Sequence, residues 1–417
     1  MTQPTLRILM MTTSLPYPPN WGGGIRVYQF LRNLSRHHEV TLLTFATPED
    51  KAKVEALEKV CHAVHTVPPA FTERVSKRTT QLKSLASRHS FTAGSITLPT
   101  MQAKLDSLMA QNFDLIQVEF GHLSGYDFGT TVPVILDEHN IEYELLHRMY
   151  QSERTGFRRF YNWLEFKKYQ REEQAFWKRV DACVFTSDRE TSLLREQFPG
   201  IRATTAPNGV DIEYFQPSPD VSDPNSLVFT GLISYRPNTD AVLYFAQEIL
   251  PLIVKQRPQT VFHVVGMGPT PEVRRLQGPN VYVTGEVPDV RPYITKSEVM
   301  VVPLRMGSGT RLKVLEGLAM AKPVVSTSVG CEGINVRADE HLRIADTPEA
   351  FANAVIALQE EREAAQAMGR RGRALVVEHY SWASITDQLE VFHEEILQER
   401  RVANLAQTTG SISSPAR

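Results

Sequence analysis

Arg311, Lys313 and Glu316 lie close together, just past the glycine-punctuated segment Met306–Thr310. Two cations, one carboxylate and a run of open backbone N–H groups suit a nucleotide diphosphate with a ribose. The N–H groups at a helix start have no intrahelical partner, so they favour an anion beyond it. Gly307, Ser308, Gly309 and Thr310 would supply those donors. Glu316 follows Thr310 by six residues, about 9 Å along a helix at the standard rise. Its flanks Leu315 and Leu318 are apolar and expected to be buried, which makes an unpaired carboxylate costly. Ligand hydroxyls would relieve it; the plainer alternative is a surface residue paired with a neighbour.

Three further groups could do chemistry. Gly22, Gly23 and Gly24 follow Trp21 in the segment between the first strand and first helix, where a backbone loop can approach phosphates closely. They do not make the dinucleotide fingerprint, because Val27 stands where its last glycine belongs. Asp137-Glu138-His139-Asn140 ends an apolar strand, at the sheet edge that faces a ligand crevice in open α/β folds. His139 is the candidate there, while Asp137 and Asn140 also suit a helix cap. Glu119-x-x-His122 and Glu144-x-x-His147 match a di-iron spacing, but the first falls at a strand end, so no metal site is expected. The chain contains no Asp-x-Asp, Gly-x-Ser-x-Gly, Walker loop or His-Glu-x-x-His.

These residues need a scaffold, and hydrophobic patterning supplies one. Buried-type strands are expected at Arg7–Thr13, Val40–Phe45, Asp114–Phe120, Val132–Asp137 and Ala182–Ser187. A second series, SLVFTG, TVFHVVG, VYVTG, VMVVPL and PVVST, begins near Ser226. Apolar runs alternating with helical segments predict α/β layers with parallel strands. The polar, Pro-rich stretch APNGVDIEYFQPSPDVSDPNS separates the series and marks a boundary. The expected division is residues 1–205, then 206–381, with a helix over 382–400 returning to the first domain and a disordered tail over 403–417.

Length and charge agree with this. The 417 residues are too many for one core, and a formal charge of −2 argues against nucleic-acid binding. Cys61, Cys183 and Cys331 are widely spaced and read as reduced and buried in a cytoplasmic protein. The apolar run after Arg7 is too short for a signal peptide or membrane span. Residues 143–179 mix aromatics with Arg and Lys, a pattern of helices packed on a sheet or lying on an anionic membrane.

In combination, RILMMTTSLPYPPNWGGG, TGLISYRPNTDA, VTGEVPDVRPYI, MGSGTRLKVLEGLAMAKPVVST and GCEGI resemble a family 4 glycosyltransferase over nearly the whole chain. It also resembles the branch found with bacterial exopolysaccharide and PEP-CTERM protein-sorting systems. The resemblance implies the GT-B fold, two Rossmann-like domains facing a cleft. It implies retaining, metal-independent transfer from a nucleotide diphosphate sugar, UDP or GDP, to a glycan or lipid-linked acceptor in cell-surface polysaccharide assembly, with no cofactor. The donor would bind the C-terminal domain, with Glu316 on the ribose, Gly231, Arg236 and Gly307–Thr310 nearby, and Arg311 or Lys313 on the diphosphate. His139 would lie near the donor sugar, and Gly22–Gly24 near phosphates and acceptor. Ser308 stands where the family often has an acid, and the usual Arg and Lys after the first C-domain strand are missing. A sugar-nucleotide epimerase and a non-catalytic nucleotide- or glycan-binding scaffold are the alternatives.

Overall fold

The computed structural model describes residues 4–19, 21–69, 84–85, 87–129, 132–153, 155–220, 222–306 and 311–412. It divides into two compact units, one reaching to Ala206 and resuming at Thr386, the other spanning Pro207–Ile385.

In the first unit the strands are β1 Arg7–Met11, β2 Glu39–Phe45, β3 Ala63–Val67, β4 Leu115–Glu119, β5 Val134–Glu138, β6 Ala182–Phe185 and β7 Arg202–Thr205. They form a parallel sheet in the order β3-β2-β1-β4-β5-β6-β7. Strands covered on both faces read as unbroken apolar runs, and every residue of β4 and β5 is buried. The strand order reverses between β1 and β4, which pair from Ile8↔Leu115 to Met11↔Val118. A crevice outside the carboxyl ends of such a pair is where doubly wound sheets bind ligands.

The second unit repeats the plan with β8 Ser226–Thr230, β9 Val261–Val265, β10 Val281–Gly285, β11 Val299–Val302, β12 Val324–Ser326 and β13 Arg343–Ile344. Its parallel order is β10-β9-β8-β11-β12-β13, with the reversal between β8 and β11. Each unit has its own core: Leu9, Ile116, Leu136 and Trp177 in the first, Phe229, Phe245, Val301 and Leu318 in the second. Full burial of such a side chain stabilises by about 1.5–3 kcal/mol.

Two expectations change here. Gly22–Gly24 are not a loop: the first helix, α1, spans Gly22–Leu34 and begins with them. The final helix, α2, runs from Trp382 to Ile412, well past Arg400 and through most of the segment composition assigns to a tail. Val402–Gln407 contains good helix formers and no breaker, so propensity carries the helix onward. Within the first unit this helix is anchored by charge. Arg202 lies 3.0 Å from both Glu395 and Glu399, and Arg400 donates to Asp181 at 2.7 Å. The three cysteines are free and buried. Among the described residues no helix is long and apolar enough to cross a membrane.

Candidate functional site

The second unit holds one set of predicted residues. The helix Leu312–Ala319 follows β11 and buries Val314, Leu315 and Leu318 against the core. That burial leaves Glu316 half-covered, and desolvation pushes its carboxyl up to about 7, against the opposing pull of Lys313. Among the described residues its side chain accepts no hydrogen bond. Lys313 is more constrained: its Nζ donates to Asn238 Oδ1 at 2.7 Å and lies 4.5 Å from the Phe229 ring centroid. Burial pushes its ammonium down to about 8.

Gly231 follows β8 with φ +145°, a backbone shape that side chains resist. A Cβ there would stand 3.1 Å from Asn238 Nδ2 and 3.4 Å from Lys313 Nζ. Gly231, Asn238 and Lys313 are therefore brought together at the β8/β11 reversal. Arg311 is buried, donates from Nε to Val329 O at 3.2 Å and lies 3.7 Å from Glu332. Arg236 opens the helix Arg236–Tyr244 and is exposed. Gly307, Ser308, Gly309 and Thr310 lie outside the described residues. Asn238 is the residue that sequence reasoning missed; its one signal was an amide beside Pro237 at a helix start.

The first unit holds a buried polar network at the ends of β4 and β5. Arg26, in the second turn of α1, grips Asp137 with two hydrogen bonds, Nε to Oδ2 at 2.8 Å and Nη2 to Oδ1 at 2.7 Å. Its Nη1 donates to Ala206 O at 2.8 Å. Burial works to raise the Asp137 pKa, but Arg26 and then His139 outweigh it and hold the group below its ordinary value. His139 Nε2 lies 2.9 Å from Glu119 Oε2, and Gln117 Nε2 donates to Glu119 Oε1 at 2.7 Å. Burial, then Asp137, pushes Glu119 well above the carboxylate range. Burial drives His139 the other way, down to about 3. Both groups therefore favour their neutral forms.

Neither Asp137 nor Asn140 caps the helix Glu142–Ser152. Glu173 does, accepting from the N–H groups of Glu142 at 2.9 Å and Tyr143 at 3.1 Å. Glu138 turns away from His139, accepting from Gly121 N at 3.0 Å and Trp177 Nε1 at 3.1 Å. Its carboxyl is pushed up to about 8 by burial. Glu119 pairs with His139 rather than with His122, three residues on. The donor atoms of Glu119, Asp137 and His139 lie within 4.8 Å of one another, the geometry of a cation site. Both Asp137 oxygens, however, already accept from Arg26, so a guanidinium serves as the cation of this cluster.

Two of the three glycines at the start of α1, Gly23 and Gly24, have a packing reason. A Cβ on Gly23 or Gly24 would fall 2.4 or 2.5 Å from the Trp21 indole, whereas one on Gly22 would meet nothing. Trp21 in turn stacks on Phe120, whose ring centroid lies 3.9 Å from that of His139. Phe120 has φ +80°, a strained conformation for a bulky residue and a mark of functional sites. Arg26 and Phe120 had no spacing signal, and that of Glu119 pointed to His122 rather than to His139, because their partners come from other elements.

Two doubly wound parallel sheets in one chain are the GT-B architecture of solved glycosyltransferases. Sucrose-phosphate synthase from Thermosynechococcus elongatus superposes with a TM-score of 0.66 at 17% identity, covering 94% of this chain and 100% of that one. HepE from Anabaena, in complex with UDP and glucose, gives 0.65 at 14%, again covering 94% and 100%. At such identity the likeness speaks for fold. Two family models speak for sequence: Glycosyltransferase Family 4 matches residues 22–214, and Glycosyl transferases group 1 matches 224–361. The chain is a glycosyltransferase of the GT-B type. It is also 22% identical to an uncharacterized 44.6 kDa protein in the cps region of Klebsiella pneumoniae, over 84% of this chain and 90% of that one.

Proposed function

We propose that this glycosyltransferase moves a sugar from a nucleotide diphosphate sugar to a glycan or lipid-linked acceptor, with retention and without a metal, in cell-surface polysaccharide assembly. The observation that carries the donor assignment is Glu316: a half-buried carboxylate with no hydrogen-bond partner among the described residues, on the helix that also presents Lys313. Paired ribose hydroxyls would satisfy it. That HepE is solved with UDP and glucose supports a nucleotide sugar, a UDP-sugar first among them. The Klebsiella relative in a cps region supports the polysaccharide role.

As the anomeric bond breaks, negative charge grows on the leaving diphosphate. Lys313 and Arg311 would stabilise it, together with the N–H groups that the sequence assigns to Gly307–Thr310. The acceptor hydroxyl then attacks from the face the diphosphate leaves, which keeps the anomeric configuration. His139 contacts the transferred sugar, and the first turn of α1 serves the acceptor and phosphates. The exposed aromatics Phe157, Phe160 and Trp163 support peripheral attachment to the cytoplasmic face of a membrane.

A thermal-shift panel of UDP-, GDP-, ADP- and TDP-sugars tests the donor reading, since a ligand bound only by the folded state raises its melting point. A UDP- or GDP-sugar is expected to raise it, and a flat panel overturns the assignment. With the stabilising donor, the product's anomeric configuration by NMR and the rate in EDTA test retention and metal independence.

A further inference from the structure

We propose that Glu119 is a positioning residue for His139: the two share one proton along the line from Glu119 Oε2 to His139 Nε2, so that His139 presents an Nδ1–H donor. This rests on the reading of His139 as a ligand-contacting residue and specifies what it offers. It takes an oxygen lone pair of the nucleotide sugar and does not accept a hydroxyl proton.

The argument starts from charge balance in a buried cluster. Arg26 of α1 and Asp137 of β5 neutralise each other. Glu119 and His139 are buried beside them, with His122 facing from the turn after β4 and His393 of α2 facing Asp137. Burial pushes His122 down to about 4 and His393 to about 3, so neither brings a charge. Four proton placements remain for the cluster. In the first, Glu119 is ionised and a neutral His139 carries its proton on Nε2. That leaves an uncompensated negative charge beside Asp137, which a buried site disfavours strongly. In the second, neutral Glu119 donates to Nε2; in the third, a Glu119 carboxylate accepts from an imidazolium. Both of these put a proton on Nδ1. In the fourth, neutral Glu119 donates instead to Asp137 and His139 gives its Nε2–H to Glu119; each Asp137 oxygen already accepts from Arg26 and would have to take a further donor, and the bare Nδ1 of that placement is the pattern that overturns the proposal.

The hydrogen-bond geometry agrees. Gln117 occupies Glu119 Oε1 as a donor, which leaves Oε2 to carry the shared proton. Nδ1 has no hydrogen-bond partner among the described residues and is not among the sealed, unsatisfied buried atoms, so it is open to a ligand. The Phe120 ring, 3.9 Å away between centroids, limits how far the imidazole can turn. Desolvation of both groups favours the neutral pair over the imidazolium.

Which nitrogen carries the proton is directly readable by long-range ¹⁵N–¹H NMR on ligand-free, full-length protein labelled at histidine, with His139→Gln identifying the signal. The expected pattern is a protonated-type shift at Nδ1 and an unprotonated-type shift at Nε2; protonated-type shifts at both nitrogens also fit the shared proton. A protonated Nε2 with a bare Nδ1 overturns the proposal. Glu119→Gln, whose amide N–H can donate to Nε2, should keep the Nδ1–H pattern, whereas Glu119→Ala should lose it. An unchanged pattern in Glu119→Ala refutes the positioning role, and the wild-type spectrum decides the tautomer even if that variant does not fold. No readout here requires sugar transfer, so the predicted tautomer in a protein without transferase activity would fault the function alone.

Discussion

Arg26 and Asp137 meet through two parallel hydrogen bonds of 2.8 and 2.7 Å while each is only 1% exposed. One comes from α1 and the other from β5, so the pair ties the start of the first helix to the strand that His139 follows. A buried pair of this kind is costly to break and cheap to replace, because removing one partner strands the other's charge.

Arg26→Met alone should therefore lose about 3–5 kcal/mol, and Arg26→Met with Asp137→Leu should recover much of it. Asp137 is held below its ordinary value of 3.8, burial being outweighed by Arg26. Its contribution is thus present above about pH 4 and is lost as pH falls through the lower folded value. Urea midpoints across that range should fall with acid more steeply in wild type than in the double variant.

Glu316 has the opposite sign. Its folded pKa of about 7 lies above the ordinary 4.5, so the folded state holds the proton more tightly than the unfolded chain. Stability should decline as pH rises from about 4.5 to about 7, and Glu316→Gln should flatten that decline. The same variant should weaken binding of the stabilising nucleotide sugar roughly tenfold or more, since hydrogen bonds to a charged acceptor contribute about 1.5–3 kcal/mol. Unchanged affinity by calorimetry removes the ribose role.

Gly22 and Gly24 should respond differently to alanine. At Gly22 the added methyl meets nothing, so Gly22→Ala should be neutral or stabilise by up to about 1 kcal/mol. Gly24→Ala should push the Trp21 indole aside and change its emission, with Trp21→Phe as the spectral baseline. An emission spectrum identical to wild type would show that the indole does not rest on the glycines.

Phe157, Phe160 and Trp163 are 64%, 54% and 39% exposed, and Arg158 and Arg159 lie between them in sequence. Replacing the three aromatics by Ser should reduce cosedimentation with phosphatidylglycerol vesicles by roughly tenfold per residue. Added salt should weaken the wild-type interaction through the arginines. Equal cosedimentation of the variant removes the membrane contact.

Residues 143–179 show how far a pattern can be read. Their aromatics divide in the structure: Phe166, Tyr169, Phe176 and Trp177 are buried, while Phe157 and Phe160 face solvent. Composition announced an amphipathic segment but left open which aromatics found a core. The glycines of α1 were legible as a close-approach site and misread as a loop, because the approaching group is an indole folded back from Trp21.

Periodicity and apolar runs alone determined two parallel α/β sheets, since strands covered on both faces must be apolar throughout. Local spacing likewise placed Lys313 and Glu316 on one helix. Only the tertiary structure decided their partners: Asn238 for Lys313, none among the described residues for Glu316, Glu119 for His139, and Arg26 for Asp137. These contacts join residues up to 111 positions apart. Buried charges are paired across strands and helices, and a linear sequence records the charges without recording which of them meet.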